Sequence, residues 1–185
     1  DAIDRRLVAA GADYGRYEVT ESGVSPRAIP GGEALVVCDS DEHDESGHIS
    51  EDLEGHIAQQ DKRMRKGDLL VEDLVEPEWV GPDDAEAVLI CWGSTYGPCR
   101  AAVEALNAGG GSFAMLHFSQ VWPIDAEAVR GRLAKAKRLV SVEGNCTGQF
   151  AAVLREVSAV GECELLTRYD GLAFTAEYIM EKVNQ

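Results

Sequence analysis

Basic residues are scarce in this chain, and long apolar runs are missing altogether. Lysine and arginine number 17 against 33 acidic residues in 185, and the formal charge of -16 repels phosphate backbones and anionic lipid. We therefore expect neither nucleic acid nor a membrane as a partner. No apolar run approaches the roughly 20 residues of a membrane helix, and residues 1–6 lack the apolar core of a signal peptide, so the expected location is cytoplasmic.

Paired cysteine motifs are also missing. The chain has five cysteines, an odd number without any C-x-x-C spacing: Cys38, Cys91, Cys99, Cys146 and Cys163. This pattern fits neither a disulfide framework nor the ligand set of a zinc or iron–sulfur site. We expect reduced thiols, with Cys91 and Cys163 packed as core residues, and no metal or cofactor bound by this chain.

The second half of the chain alternates apolar runs with helical stretches. Strands are predicted at residues 87–92, 113–118, 138–142 and 163–167, and helices at 98–107, 126–136 and 149–158. Such alternation implies right-handed crossovers between parallel strands. The sequence therefore predicts a three-layer α/β/α domain over residues 84–185, with a mostly parallel sheet covered by helices on both faces.

Residues 1–83 are predicted to form an extended arm with a connector. Glycine and proline are frequent up to residue 32, although residues 3–10 are compatible with a helix. Residues 35–37 form a short β-branched run, which either adds to the sheet as an antiparallel edge strand or stays with the arm, and we favour the edge strand. A charge-laced, exposed helix is predicted to begin after an N-cap at Ser50 and to carry Leu53, Ile57 and Met64.

Two loops of the α/β domain follow predicted strands and open helices, the usual place for ligands in such sheets. The first holds Gly93, Ser94 and Thr95, and the second Gly144, Asn145 and Thr147. Neither matches G-x-G-x-x-G or G-x-x-x-x-G-K-[ST], so no nucleotide fingerprint is present. These residues are candidates for ligand or interface contacts, and ordinary strand-to-helix turns explain the same pattern.

A dense polar stretch follows residue 38 and contains Asp39, Asp41, His43, Asp44, Glu45 and His48. A calcium-binding EF-hand loop counted from Asp39 needs glycine at position six and glutamate at position twelve, where Asp44 and Ser50 stand. We expect an interface loop whose His43, Asp44, Glu45 and His48 lie close to a neighbouring active site. His56 and His117 are expected to be structural, and no residue is assigned a catalytic role.

Several segments together resemble one family over nearly the whole chain. They are RYE (16–18), TESGVSPRAIPG (20–31), EHDESGHISED (42–52), KRMRK (62–66), WGSTYGP (92–98), LHFSQVWP (116–123), VEGNCTGQF (142–150) and RYDGLAFT (168–175). In this order they resemble the C-terminal region of the α subunit of 2-oxoacid:ferredoxin oxidoreductases. The resemblance implies a transketolase C-terminal-like domain for residues 84–185 with a structural or interface role.

The resemblance also implies an activity for the complete enzyme. It is the oxidative decarboxylation of a 2-oxoacid, expected to be 2-oxoglutarate, with coenzyme A to acyl-CoA and reduced ferredoxin. Thiamine diphosphate, magnesium and iron–sulfur clusters would be held by the β subunit and by the rest of the α subunit, and the isolated chain would be inactive. The alternative is a stand-alone Rossmann-like module for a small ligand or nucleotide.

Overall fold

A computed structural model describes residues 7–11 and 13–185 of the chain. The chain divides into two compact units, Asp1–Asp73 and Leu74–Gln185. This division falls earlier than the predicted boundary after residue 83, because a strand at Glu78–Val80 belongs to the sheet of the second unit. Of the helix suggested for residues 3–10, residues 3–6 lie outside the described part, and Leu7–Val8 forms a strand instead.

The first unit contains two very short strands and one long helix. Strands β1 (Leu7–Val8) and β2 (Arg27–Ala28) pair in parallel, and helix α1 spans Leu53–Leu70 before a 3₁₀ turn at Val71–Asp73. Tyr14 closes the intervening loop, because its hydroxyl donates to the carbonyl oxygen of Pro26 at 2.7 Å and accepts from the Ala28 amide at 3.0 Å. Side-chain hydrogen bonds thus supply much of the order of this unit.

Helix α1 begins two residues later than a cap at Ser50 would place it. Asp52 is the N-cap, and its carboxylate accepts a hydrogen bond from the Gly55 amide at 2.6 Å. The Ser50 amide instead donates to the carbonyl oxygen of Glu42 at 2.9 Å, which keeps residue 50 within the preceding loop. Aspartate caps a helix as well as serine does, so the sequence alone did not separate the two positions.

The burial pattern of α1 is inverted. Gln59 and Lys62 are 3% and 5% exposed, whereas Leu53, Ile57 and Met64 are 79%, 60% and 62% exposed. At 100° per residue these three apolar side chains fall on one narrow stripe of the helix. The exposed helix expected from the sequence is therefore confirmed, and its apolar stripe faces away from the core of its own unit.

The edge strand predicted at residues 35–37 is wrong. These residues have no regular structure, and Leu35 is 81% exposed. The carbonyl oxygen of Val37 runs so close to Gly47 that a Cβ there would clash with it, and Gly47 adopts a positive φ of 96°. The segment is thus held within the first unit, and strand β3 (Glu78–Val80) occupies the antiparallel edge instead.

The second unit is built on a five-stranded sheet in the order β3-β5-β4-β6-β7, in which only β3 is antiparallel. Its strands and helices in chain order are β4 (Ala87–Trp92), α2 (Tyr96–Ala108), β5 (Phe113–Phe118), α3 (Ala126–Leu133), β6 (Arg138–Glu143), α4 (Gln149–Glu156), β7 (Glu164–Thr167) and α5 (Ala176–Val183). A 3₁₀ turn at Gly93–Thr95 precedes α2. The predicted mostly parallel α/β architecture is confirmed.

Both faces of the sheet are covered because alternate residues of the central strand point to opposite sides. Val88 and Ile90 pack in one cluster with side chains of α3 and α4, whereas Leu89 and Cys91 pack in another with side chains of α2 and α5. All four strand residues are fully buried. The helix pairs thus lie in separate layers, with the sheet between them.

Candidate functional site

The carboxyl end of the sheet is a topological switch point. Strand β4 connects through α2 to β5 on one side, whereas the neighbouring strand β6 connects through α4 to β7 on the other side. In open α/β sheets ligands bind in the crevice that such diverging connections leave. The loops predicted as candidate sites, residues 93–95 and 144–147, flank this position.

The loop after β4 is closed by its own hydrogen bonds. Thr95 Oγ1 donates to the carbonyl oxygen of Trp92 at 2.7 Å and accepts from the Trp92 amide at 3.2 Å. The carbonyl oxygen of Gly93 lies 3.2 Å from His117 Nε2, whose ring meets Tyr96 edge to face. Thr95 and His117 are therefore structural here, and Gly93 and Ser94 form the exposed surface of the turn.

The loop after β6 is organised by a buried carboxylate that the sequence did not single out. Glu143 is fully buried, and its oxygens accept hydrogen bonds from four donors at 2.8–2.9 Å: Ser141 Oγ, Asn145 Nδ2 and the amides of Phe150 and Ala151. Asn145 Oδ1 accepts from the amides of Thr147 and Gln149. The first-turn amides of α4 are thus satisfied by the chain itself.

The hydrogen bonds determine the protonation of Glu143. Burial raises the pKa of its carboxyl, but the bonds from Asn145, from the two α4 amides and from Ser141 outweigh burial, and the pKa falls below its ordinary value. A carboxylate therefore stands where a bound phosphate would need to lie. The groups left for a neighbour at this loop are the exposed residues Gly144, Cys146 and Thr147.

Large apolar side chains are exposed along the same end of the sheet. Trp92 ends β4, Trp122 lies in the loop after β5, and Tyr169 and Leu172 lie in the loop after β7. Their exposures are 36%, 61%, 70% and 65%. We call these four residues the apolar rim. Single exposed apolar residues are common on protein surfaces, whereas four of them at one end of a sheet form a candidate contact surface.

The loop of residues 39–50 in the first unit, here called the acidic loop, is held by Asp44. Its Oδ1 accepts from the amides of Ser46, Gly47 and His48 at 2.9–3.2 Å and from Ser46 Oγ at 2.6 Å. These bonds, that from the Ser46 hydroxyl above all, lower the pKa of the Asp44 carboxyl. A bridge between His43 and Ile49 closes the loop.

Asp44, Ser46 and His48 form a relay of hydrogen bonds. Ser46 Oγ lies 2.6 Å from Asp44 Oδ1 and 2.8 Å from His48 Nδ1. Because an ionised carboxylate only accepts, the hydroxyl proton points to Asp44, and Ser46 Oγ accepts from the Nδ1 proton of His48. The neutral ring of His48 then carries its free lone pair on Nε2, and the side chain is exposed.

Three further polar residues of the acidic loop, Glu42, His43 and Glu45, have partners within the first unit. His43 stacks on Tyr17 with ring centroids 3.7 Å apart, and Glu45 Oε2 accepts from the Val19 amide at 2.9 Å. Glu42 receives two hydrogen bonds from Arg63, and its Oε2 lies 3.1 Å from His56 Nδ1. The bond from Arg63 is the main cause that lowers the pKa of the Glu42 carboxyl to about 2. A cavity of 410 Å³ lies between this loop and the start of α1.

The acidic loop and the switch point lie in different units. In the acidic loop, the structure brings Asp44 and His48 together in one cluster, whereas His43 and Glu45 contact separate partners. In the second unit, the loops at residues 93–95 and 144–147 follow neighbouring strands. Within the described ranges no three His, Cys, Asp or Glu side chains converge as ligands for a metal ion.

All five thiols are free, and Cys91 and Cys99 are fully buried together. Their mutual hydrogen bond and their burial raise the pKa of Cys99. Cys163 is only half-buried, so the prediction that it packs in the core is met only in part. No helix in the described part of the chain combines the length and apolar character that a membrane crossing requires.

A family model described as pyruvate:ferredoxin oxidoreductase core domain II matches residues 85–179. The chain belongs to the 2-oxoacid:ferredoxin oxidoreductase family. It is similar to the α subunit of 2-oxoacid:ferredoxin oxidoreductase 1 of Sulfurisphaera tokodaii, with 28% identity over 95% of this chain and 28% of that protein. It is also similar to the α subunit of enzyme 2 of Aeropyrum pernix, with 31% identity over 86% of this chain and 25% of that protein.

Among solved structures, the chain is similar to 2-oxoglutarate:ferredoxin oxidoreductase from Magnetococcus marinus, described with 2-oxoglutarate, coenzyme A and succinyl-CoA bound. The TM-score is 0.69 and the identity 28%, over 97% of this chain and 32% of that one. The family assignment expected from the sequence motifs is thus confirmed. The chain spans between a quarter and a third of the length of these oxidoreductase subunits.

Proposed function

We propose that this chain is the C-terminal part of the α subunit of a ferredoxin-dependent oxidoreductase that decarboxylates 2-oxoglutarate in the presence of coenzyme A. The second unit acts as a support that binds the other parts of the enzyme. The observation that carries this role is the apolar rim, since Trp122, Tyr169 and Leu172 are each more than half exposed. A small-ligand site would also need converging polar groups, and the loops at residues 93–95 and 144–147 use theirs in internal hydrogen bonds.

The choice of 2-oxoglutarate is supported by the Magnetococcus marinus enzyme, which is 28% identical and is described with that substrate bound. Coenzyme A is bound to the same enzyme, and ferredoxin is named for it and for the Sulfurisphaera tokodaii relative. The first unit adds a second feature in favour of assembly, because α1 exposes Leu53, Ile57 and Met64 on one stripe. Both surfaces need a covering protein, for which the β subunit and the rest of the α subunit are the proposed partners.

The donor sets of this chain do not fit the prosthetic groups that the family uses. In the described part, Cys38 and Cys146 are exposed on different units, Cys91 and Cys99 are buried in the core, and no cluster of three ligating side chains occurs. Thiamine diphosphate with magnesium and the iron–sulfur clusters are therefore proposed to be held by other parts of the complex. The buried free thiols suit the reducing cytoplasm that we propose as its location.

Within the complete enzyme, the acidic loop is proposed to lie at an interface close to the active site. Its Asp44–Ser46–His48 relay fixes the ring of His48 and leaves Nε2 as a hydrogen-bond acceptor towards solvent. An imidazole positioned in this way is suited to act as a general acid or a general base. The support unit itself supplies no catalytic group in this proposal.

A stand-alone nucleotide-binding module is supported less well. The first-turn amides of α4, which would receive a phosphate at the switch point, already donate to Glu143. The negative charge of that buried carboxylate would also repel a phosphate. The loop after β4 lacks the glycine fingerprint of dinucleotide-binding folds.

The support role is tested in the complex reconstituted with its other subunits. Replacing Tyr169 and Leu172 with serine should weaken association with the partner chains by about ten-fold, equivalent to ~1.4 kcal/mol. It should leave the melting temperature of the isolated chain unchanged, because both side chains are exposed. The control is Lys135→Ser, an exposed residue at the opposite end of the sheet. Unchanged association of the rim variant would refute the role.

A further inference from the structure

A strongly basic cavity lies in the first unit, in a chain whose overall charge is -16. It measures 280 Å³ and is formed by residues 16–27 together with one face of α1. Of the 17 Lys and Arg residues in the chain, five line it: Arg16, Arg27, Lys62, Arg63 and Lys66. Among the described residues, those that line this cavity include no Asp or Glu. Such a concentration of one sign focuses the electrostatic potential on an anion.

The cavity is built by close packing of a loop on the helix. Gly23 has a positive φ of 74°, and a Cβ at this position would clash with the backbone of α1 at Lys62 and Lys66. The loop therefore runs directly over these helix residues and forms one wall. Ser25, which is 8% exposed, fixes that wall by donating from Oγ to the carbonyl oxygen of Glu18 at 2.9 Å.

Lys62 is a buried cation without a carboxylate partner. It is 5% exposed, and its Nζ donates to the carbonyl oxygen of Tyr17 at 2.6 Å and to Gln59 Oε1 at 3.2 Å. An ammonium group has three N–H donors, so one is left over. Within the described part of the chain, no carboxylate oxygen lies within 4 Å of the charged groups of Arg16, Lys62 or Lys66.

The surrounding charges are not balanced. Burial above all, together with repulsion from Lys66, Arg16 and Arg63, lowers the pKa of the Lys62 ammonium to about 8, and Glu45 offsets only part of this. Arg63 is neutralised by its two hydrogen bonds to Glu42, whereas the guanidinium of Arg16 lies 4.9 Å from the ring centroid of Tyr17. Bringing these cations together costs free energy that a bound anion would recover.

We propose that this cavity binds the phosphate group of a small anionic ligand. Phosphate offers several oxygens to converging donors and carries enough charge to neutralise more than one of Arg16, Lys62 and Lys66. The stacked rings of Tyr17 and His43 also line the cavity and provide an apolar wall for the rest of the ligand. At 280 Å³ the space suits a small group and not a folded protein segment.

Isothermal titration of the 185-residue chain with sodium pyrophosphate and with inorganic phosphate tests the site at constant ionic strength. Pyrophosphate is expected to bind with a Kd below about 1 mM, and Arg16→Gln and Lys66→Gln should each weaken it by about ten-fold. The matched control is Arg65→Gln, which removes the same charge from α1. Arg65 donates to the Thr20 carbonyl oxygen and does not line the cavity. It should change binding by less than about two-fold.

Three results would overturn the proposal. They are the absence of a saturable heat with pyrophosphate, an equal loss of binding in the Arg65→Gln control, and tighter binding of succinate or of poly-glutamate than of pyrophosphate. The last result would assign the cavity to carboxylates or to an acidic protein segment. Circular dichroism of each variant separates lost binding from lost folding, and ¹³C-labelled lysine spectra give an independent readout, since bound pyrophosphate must raise the pKa of Lys62.

Discussion

The longest helix of the first unit and the helices of the second unit bury opposite kinds of side chain. Helix α1 buries Gln59 and Lys62 and exposes Leu53, Ile57 and Met64, whereas α4 buries Phe150 and Leu154, and α5 buries Ile179 and Val183. Since apolar burial drives folding, the second unit contains its own source of stability. The first unit is held mainly by polar contacts, and the apolar stripe of its helix is exposed.

The largest expected effect contrasts two isoleucines in these settings. Ile90→Ala removes a fully buried side chain from the central strand of the sheet and should cost about 2–5 kcal/mol of the free energy of unfolding. Ile57→Ala, at a residue that is 60% exposed, should cost less than about 0.5 kcal/mol. Urea unfolding followed by circular dichroism measures both. Equal losses in the monomeric chain would break the comparison, because they would mean that the stripe of α1 is covered within the chain itself.

The second prediction concerns Glu143, the buried carboxylate at the carboxyl end of the sheet in the second unit. Glu143→Gln places an amide donor against four donors and should cost about 2–3 kcal/mol at pH 7. Tryptophan fluorescence follows this unit alone, because the three tryptophans, Trp79, Trp92 and Trp122, all lie in it. Ser141→Ala, which removes one of the four donors and keeps the charge, should lose less than half as much.

The pH dependence of the same variant follows from the direction of the pKa shift. The pKa of Glu143 is lower in the folded chain than in the unfolded one, so its contribution is complete above the ordinary glutamate value and is lost as the pH falls through the folded pKa. The difference in stability between wild type and Glu143→Gln should therefore shrink on acidification below about pH 4.5. A difference that grows instead would show that the pKa of Glu143 is raised in the folded chain above its unfolded value.

The smallest effect on stability is expected in the acidic loop. His48→Ala should change the free energy of unfolding of the chain by less than about 0.5 kcal/mol, because the side chain is exposed. The melting temperature should therefore stay nearly unchanged. In the assembled enzyme the same variant should lower turnover, since the proposed interface role needs the imidazole. Lys135→Ala, at an exposed residue outside the acidic loop, serves as the control. Full turnover of His48→Ala would leave the loop as a solvated connector.

Much of the second unit was predictable because local pattern and tertiary structure agree there. Strands β4 and β5 have the predicted bounds, and each helix between strands lies within two or three residues of its prediction. Helix α5 was missed, although Thr175 followed by an apolar pattern is a recognisable start. Strand β3 was missed as well, although Trp79 and Val80 stand between Pro77 and Gly81.

The candidate site was less predictable than the fold. Residues 35–37 have strand-like composition, but they are held beside Gly47 by loop geometry that no periodic pattern records. The role of Glu143 depends on the positions of four donors from a strand, a loop and a helix, which only the folded chain brings together. The polar residues of the acidic loop were recognised in the sequence. The hydrogen bonds that join Asp44, Ser46 and His48 depend on the conformation of the turn, which the sequence pattern does not show.

The bonds of Glu143 also bear on how the second unit moves. Along β6, Ser141 and Glu143 alternate with Val140 and Val142, so the Glu143 side chain lies on the face of the sheet that α4 covers. Separation of α4 from the sheet would break the bonds from the Phe150 and Ala151 amides to the carboxylate together with the apolar contacts of Phe150 and Leu154. The start of α4 should therefore open with the sheet as one cooperative block and not as a hinge, and its amide protons should exchange more slowly than those of an ordinary helix end.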